Sequence, residues 1–312
     1  MARIGFDLDG VINDNALFKC GKIKDIYGIH LEPWQLTSNV INTFVPDKSI
    51  RHDINNLSAT TTHPQLVNKN LSQILQQLSD YEAKLYIISR RGKSDNGSKV
   101  ARDIIKELNI EKFFDEIIFC ETDNEKVELI KQKNLDIFVD DRLCVIEGLQ
   151  SSIHFPVLFD EYNLIKKGLL NCNNKDIFIT NDLNSLLNYA KVISLIENSV
   201  DILKSKGKIN ISANHYKIVS FVNNIVAKID GFYLKIYNNN STIRDNELAL
   251  YNKVKNETNL FKEIIYTGTV KFGKNYQFAL FKPIDGQTLD KISYDDKQAE
   301  TIAQSVYDFI NC

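Results

Sequence analysis

The strongest constraint on the fold is the rhythm of residues 1–192, where short apolar runs alternate with helix-like stretches. ARIGFDL (2–8), AKLYIIS (83–89), EIIFC (116–120), LDIFVDD (135–141) and FPVLF (155–159) are compact and rich in β-branched and aromatic residues. Strands with one wet face alternate in polarity, whereas continuous apolar runs suit strands of a parallel sheet covered on both faces. Helix-like segments lie between the runs at 67–80, 97–109 and 124–134. This alternation predicts an α/β fold on a doubly wound parallel sheet.

Two stretches depart from the rhythm. Residues 13–66 are too long for a simple crossover, carry Pro33, Trp34 and Pro46, and are expected to form a mostly helical insertion. From about 196 come closely spaced β-like runs, YKIVSFV, NIVAKI and FYLKIYN, with an Asn-rich turn at 238–240. A helical stretch at 243–256, the runs IIYTGTVKF and YQFALFKPI, and a helical stretch at 297–311 follow. The expected organisation is an α/β domain at 1–195 and a smaller α+β domain at 196–312. Two domains also suit 312 residues, because domains usually run to ~100–200 residues.

Composition narrows the partners. Lys and Arg total 38 against 40 Asp and Glu, a formal charge of -2, and chains that coat nucleic acid normally show a basic face. No apolar run reaches the ~18 residues of a membrane span, and MARIGFDLDG lacks the basic start and long apolar stretch of a signal peptide. Cys20, Cys120, Cys144, Cys172 and Cys312 are scattered, odd in number and form no CxxC pair. Reduced thiols and a cytoplasmic location are expected, with neither a nucleic-acid nor a membrane partner.

The chemistry gathers at the ends of the apolar runs. The first ends in Asp7-Leu8-Asp9-Gly10, two carboxylates at i and i+2 where α/β sheets place their ligand sites. One of them can attack while the other exchanges protons. Tyr86-Ile87-Ile88-Ser89-Arg90 ends in a hydroxyl and a guanidinium, both suitable donors to phosphate oxygens. Lys126 opens a helical stretch and can neutralise charge beside an aspartate nucleophile, and Ile137-Phe138-Val139-Asp140-Asp141-Arg142 ends a further run in paired carboxylates.

The order of these features resembles the haloacid dehalogenase-like (HAD) hydrolases over about residues 1–190. FDLDGV is similar to their first motif, IISRR to the second (where Thr is commoner than Ser89), Lys126 to the third and VDDR to the fourth. LFDEYN (158–163) resembles the segment after the fourth motif in nucleotidase-like members. Receiver domains also use Asp, Ser or Thr, and Lys, but in another order. The resemblance implies an HAD-like Rossmannoid fold and Mg²⁺-dependent hydrolysis of a small phosphorylated metabolite, a nucleotide or sugar phosphate. It makes Asp7 the nucleophile of an aspartyl-phosphate and Asp9 the general acid and then base. Ser89 binds the phosphoryl group, and Lys126 holds both that group and Asp7. Mg²⁺ sits on Asp7, the Asp9 carbonyl and one or both of Asp140 and Asp141. Residues 13–66 take the place of the substrate-selecting cap, with Lys19, Lys22, Tyr27, Trp34, His52 and His63 as candidate contacts. Transfer of the phosphoryl group to a sugar or nucleoside in place of water remains an alternative.

Residues 214–311 resemble the N-terminal lobe of aminoglycoside and choline kinase-like phosphotransferases. Phe232-Tyr233-Leu234-Lys235-Ile236 is similar to the strand with the ATP-binding lysine, and Glu247 stands 12 residues on, in the place of its partner. Phe281-Lys282-Pro283-Ile284-Asp285-Gly286 is similar to the hinge. The resemblance implies an ATP site at Lys235 and Glu247, but the chain ends at Cys312, where a second lobe would begin. An incomplete kinase-like unit without kinase activity is expected, and a regulatory or interaction module is the alternative.

Overall fold

Six strands between residues 3 and 180 form one parallel sheet: β1 (Arg3–Phe6), β2 (Lys84–Ser89), β3 (Glu116–Phe119), β4 (Ile137–Asp140), β5 (Phe155–Phe159) and β6 (Phe178–Thr180). The computed structural model describes residues 1–93, 95–210, 216–238, 245–246, 249 and 263–282. The sheet order is β3-β2-β1-β4-β5-β6. Chain direction across the sheet reverses between β1 and β4, so the crevice for a ligand opens at the carboxyl ends of those two strands. Asp7 and Asp140 stand there, with the Asp7 N–H donating to the Val139 carbonyl at 2.9 Å.

The strands are apolar on both sides because both sides are covered. Leu85 and Ile87 join a core with Ile4, Phe6 and Val139, while Tyr86 and Ile88 join a second core with Phe138 and Leu158. Gly5 makes this packing possible in β1, since a Cβ there would lie 2.5 Å from Leu135 and 2.6 Å from Phe138.

The insertion expected at 13–66 is present and joins the sheet through a two-stranded neck. Asn13 bridges to Leu66, the Asp14 N–H donates to the Gln65 carbonyl at 2.7 Å, and the Val67 N–H donates to the Ile12 carbonyl at 3.0 Å. It consists of α1 (Ala16–Tyr27), a 3-10 turn (Pro33–Leu36), α2 (Ile41–Phe44) and α3 (Lys48–Thr60). Ile23, Leu36, Val45 and Ile54 give it an apolar core of its own.

Helices α4 (Leu71–Asp80), α5 (Asp95–Glu107) and α8 (Ser185–Ser205) cover one face of the sheet; α6 (Asp123–Gln132) and α7 (Leu143–Glu147) cover the other. A second, antiparallel sheet has the order β10-β11-β9-β8-β7, from β7 (Tyr216–Ser220), β8 (Asn224–Ile229), β9 (Phe232–Tyr237), β10 (Ile264–Phe272) and β11 (Lys274–Phe281). Helix α8 runs unbroken through 195/196, where the sequence places a domain boundary. Its residues from Leu186 to Leu203 share one apolar core with Phe155 and Val157 of the first sheet and Ile225, Leu234 and Phe278 of the second. Of the helical stretch expected at 243–256, only 245, 246 and 249 are described, and they are helical; 297–311 lies outside the described residues.

A polar cluster lies where the two sheets meet. Asp136, just before β4, accepts the Arg3 N–H at 2.8 Å, and Glu197 of α8 accepts the amino group of Met1. The His154 ring stacks on Tyr216 of β7 with centroids 4.3 Å apart. Burial pushes the Asp136 carboxyl up to about 7, aided by Glu197 and opposed by the Arg3 N–H, the amino terminus and the Arg3 charge. The folded protein therefore holds this proton more tightly than the unfolded chain, and its stability falls as pH rises between about 4 and 7. Asp136→Asn keeps an acceptor for Arg3 and loses that penalty. The stability of the variant relative to the parent is expected to grow by about 1–2 kcal/mol between pH 5 and pH 8 in urea unfolding. His154, with Nε2 4.0 Å from Asp136 Oδ1, is held down to about 4 by burial. Its contribution grows as pH rises towards its ordinary 6.5 and is complete above that, so the comparison of variant and parent between pH 7 and pH 8 is free of it. A difference that stays flat contradicts the buried-carboxyl account.

Candidate active site

The turn after β1 brings the first carboxylates together. Asp7 is buried, and its Oδ1 accepts the Leu8 N–H at 2.8 Å. The chain then turns back, with Ile12 and Asn13 N–H both donating to the Leu8 carbonyl. Gly10 has a φ of +77°, and a Cβ there would lie 2.7 Å from Asp141 Oδ2. Glycine thus meets two demands, a left-handed backbone and the close approach of the Asp141 carboxylate.

Lys126 lies at the centre. The Thr122 hydroxyl caps α6 by accepting the Glu125 N–H at 3.1 Å, which puts Lys126 in the first turn beneath the strand ends. Its Nζ is 2.9 Å from Asp7 Oδ1, 2.7 Å from Asp140 Oδ2 and 5.4 Å from the centre of the Phe138 ring. Burial alone would lower its pKa, but Asp140 and Asp7 outweigh that and hold the ammonium above its ordinary range. Asp140 Oδ1 accepts the Arg142 N–H at 2.8 Å. Burial pushes the Asp140 carboxyl up despite Lys126, and Asp7 pushes the same way. Asp141 is raised by burial and by the charges of Asp140 and Asp7.

Asp7, Asp140 and Asp141 each offer a carboxylate oxygen within 4.8 Å of the others. Three carboxylates against the one ammonium of Lys126 leave excess negative charge in a buried place, and an all-oxygen donor set matches a hard divalent cation. The residues therefore fit Mg²⁺. The Asp9 carboxylate is outside this cluster.

The structure gives the Asp9 side chain a different partner. Arg91 forks onto it, Nε to Oδ2 at 2.5 Å and Nη2 to Oδ1 at 2.6 Å, and Asn15 Nδ2 donates to Oδ1 at 2.9 Å. Burial pushes the Asp9 carboxyl up, but the charge and hydrogen bonds of Arg91, with Lys19 and Lys126, hold it below its ordinary value. Arg90, which the sequence offers as a phosphate donor, is exposed, with Nε 3.5 Å from Asp123, and lines the same cavity as Asp7. Arg91 is the buried guanidinium of the pair. Ser89 ends β2, buried beside Asp7, where the sequence places it.

Asp7, Asp9, Ser89, Arg91, Lys126 and Asp141 line the floor of a cavity of about 620 Å³ roofed by the insertion, and Asp140 lies buried beneath it. Of the six candidate cap contacts, Lys19 and His52 line it. Lys22 and His63 lie against Phe18, Tyr27 donates to Asp53, and Trp34 packs edge-on to Phe44. Asn39, Asn55 and Asn56 add amides from the cap. In LFDEYN, Asp160, Glu161 and Tyr162 all line the cavity, and Asp160 also holds the following turn by accepting Leu164 N–H at 2.7 Å and Ile165 N–H at 3.0 Å. Burial, with Asp14, pushes Glu161 up to about 7. Lys235 lies on β9 with its Nζ 4.9 Å from the Tyr237 ring, and Glu247 lies outside the described residues.

Arg91, Asn15 and Asn39 escape the sequence reading. Arg91 carried half a signal, as one of two adjacent arginines after a strand; the asparagines carried none.

No family model matches the chain, and no curated protein matches it. Among solved structures it is similar to a haloacid dehalogenase-like family hydrolase from Xanthomonas campestris at 10% identity and a TM-score of 0.35, over 66% of this chain and 97% of that one. It is also similar to a haloacid dehalogenase-like hydrolase from Burkholderia xenovorans at 12% identity and a TM-score of 0.40, over 60% and 94%. At these scores the likeness adds nothing to what the site's own geometry shows.

Proposed function

We propose that the chain is a Mg²⁺-dependent phosphatase of the HAD class, hydrolysing a small phosphomonoester through an aspartyl-phosphate. One observation carries the proposal: Lys126 is held between Asp7 and Asp140, within a three-carboxylate cluster of which Asp7 and Asp141 line a roofed polar cavity. Mg²⁺ on Asp7, Asp140 and Asp141, with the Asp9 carbonyl, supplies positive charge against the phosphoryl oxygens.

An Asp7 carboxylate oxygen attacks phosphorus, and the bond to the leaving oxygen breaks. Lys126 and Ser89 receive the phosphoryl oxygens. Asp9 protonates the leaving oxygen and then takes a proton from the water that releases phosphate from Asp7. The Arg91 fork keeps Asp9 a carboxylate at rest, the form needed for the second step. The first step needs Asp9 protonated, which requires an incoming phosphate to draw Arg91 off its carboxyl. The cavity's amides, with His52, Glu161 and Tyr162, suit a hydroxyl-rich leaving group such as a sugar or nucleoside.

The test is phosphate release from a panel of nucleotides and sugar phosphates, with and without Mg²⁺. Mg²⁺-dependent release from some members is expected, and no release from any of them contradicts the proposal. The nucleotide-binding reading of the second sheet rests on Lys235 alone among the described residues, and the phosphatase reading does not depend on it.

A further inference from the structure

We propose that Asn39 is a positioning residue that couples closure of the cap to cation binding at the Asp7, Asp140 and Asp141 cluster. The proposal rests on the metal reading of that cluster. Asn39 belongs to the cap, yet its side chain grips the main chain of the strand end that carries two of the three carboxylates. Its Nδ2 donates to the Asp141 carbonyl at 2.7 Å, and its Oδ1 accepts the Leu143 N–H at 3.1 Å. These partners are 102 and 104 residues away in sequence, on either side of Arg142. A carboxamide carries a donor and an acceptor side by side, so one side chain can hold a C=O and an N–H together.

Both ends of this clasp are stiff. On the cap side, the Thr37 carbonyl accepts the N–H groups of Val40 at 3.1 Å and Ile41 at 3.0 Å, and the Thr37 hydroxyl donates to the Trp34 carbonyl at 3.0 Å. Val40 is buried beside Asn39, and Leu36 belongs to the cap's core. On the sheet side, the Arg142 N–H is held by Asp140, and the Arg142 carbonyl accepts the Val145 and Ile146 N–H groups that begin α7. A movement of the cap that breaks the clasp therefore leaves the backbone between Asp141 and Leu143 held from the sheet side alone, through Arg142.

That backbone sets where Asp141 points. The three carboxylates repel one another, and a loop held at Arg142 alone yields to that repulsion more easily, letting Asp141 draw away from Asp7 and Asp140. With the clasp made, the carboxylates stay gathered and the cation finds its ligands in place. Linkage makes the effect reciprocal: if a closed cap tightens cation binding, the bound cation must stabilise the closed cap by the same factor.

The experiment measures both directions on the full chain. Mg²⁺ affinity is determined by titration calorimetry for the parent and Asn39→Ala, and amide hydrogen exchange is followed in α1 and α3 with and without Mg²⁺. The variant is expected to bind Mg²⁺ about tenfold more weakly, the scale seen when groups that orient metal ligands are removed. In the parent, Mg²⁺ is expected to slow exchange in the cap helices, and in Asn39→Ala that slowing is lost. A residue that merely stabilises the cap would speed exchange equally with and without Mg²⁺. Asn39→Gln keeps an amide but sets it one methylene further out. It is expected to show the same two losses, which guards against a folding failure of the alanine variant. Unchanged Mg²⁺ affinity in both variants overturns the coupling while leaving the metal site standing. A parent chain that takes up no Mg²⁺ overturns the metal reading and the coupling with it.

Discussion

Asp7→Asn is expected to lower phosphatase turnover by about 10⁴-fold or more, because it removes the nucleophile and leaves only charge stabilisation and binding. The same change is expected to leave the fold intact. An amide fits the carboxylate's space, and its oxygen can still accept the Leu8 N–H that Asp7 Oδ1 accepts at 2.8 Å. Lys126 loses the charge of one partner, whose amide oxygen stays within its reach, and keeps Asp140 Oδ2 at 2.7 Å. Asp7 is also one of the charges that push Asp140 and Asp141 upward, so its loss relieves repulsion in the cluster. These effects oppose one another, and the stability change is expected within about 1 kcal/mol, far below the cost of stranding a buried charge. Turnover on the best substrate of the panel, together with thermal unfolding, makes the check. A variant that keeps a tenth of the parent's turnover ends the nucleophile assignment, and one that unfolds shows that Asp7 was chiefly structural.

The parts of the fold that sequence revealed are those whose burial is uniform. Leu85 to Ser89 are buried on both faces of the sheet, so they appear as an unbroken apolar run. β6 is three residues long, half-exposed and at the edge, and leaves no such trace. Helix α8 is hidden for a different reason. Packed between two sheets, it buries Ser194, Glu197 and Ser199 as well as its leucines and isoleucines, so no polar face marks its period. The expected domain boundary fell in its middle. At the site, Asp7, Ser89 and Asp140 were legible because each ends an apolar run, and a parallel sheet brings strand ends to one rim. Partners were not legible. That Arg91 takes Asp9 while Arg90 pairs with Asp123, and that Asn39 reaches Asp141 across 102 residues, depends on tertiary packing, which local pattern does not carry. The same limit explains why two of six cap candidates line the cavity: α1 buries Ile23 alone, too little to orient the helix from its sequence.

Lys126→Met is expected to cost about 3–5 kcal/mol of stability, because it strands carboxylates that a single buried ammonium now compensates. Lys126 is 1% exposed, and Asp140 has no exposed surface at all. Neither charge can turn to water without moving α6 or β4. Methionine fills most of the lysine's volume and can lie against Phe138, so the cost is electrostatic rather than a cavity. Because Asp140 and Asp7 hold the Lys126 ammonium above its ordinary range, its contribution is complete at neutral pH and fades only at strongly alkaline pH. Two further measurements separate charge from packing. Adding Asp140→Asn to Lys126→Met removes the stranded charge and is expected to recover more than half of the loss, since replacing a whole buried pair by neutral groups is nearly free. Mg²⁺ is expected to raise the melting temperature of Lys126→Met more than that of the parent, because a cation then performs alone the neutralisation that Lys126 shares. If Lys126→Met melts with the parent, or if Asp140→Asn deepens the loss instead of repairing it, the carboxylates are not held together by this lysine. The phosphatase mechanism then loses the group that gathers Asp7 and the phosphoryl oxygens.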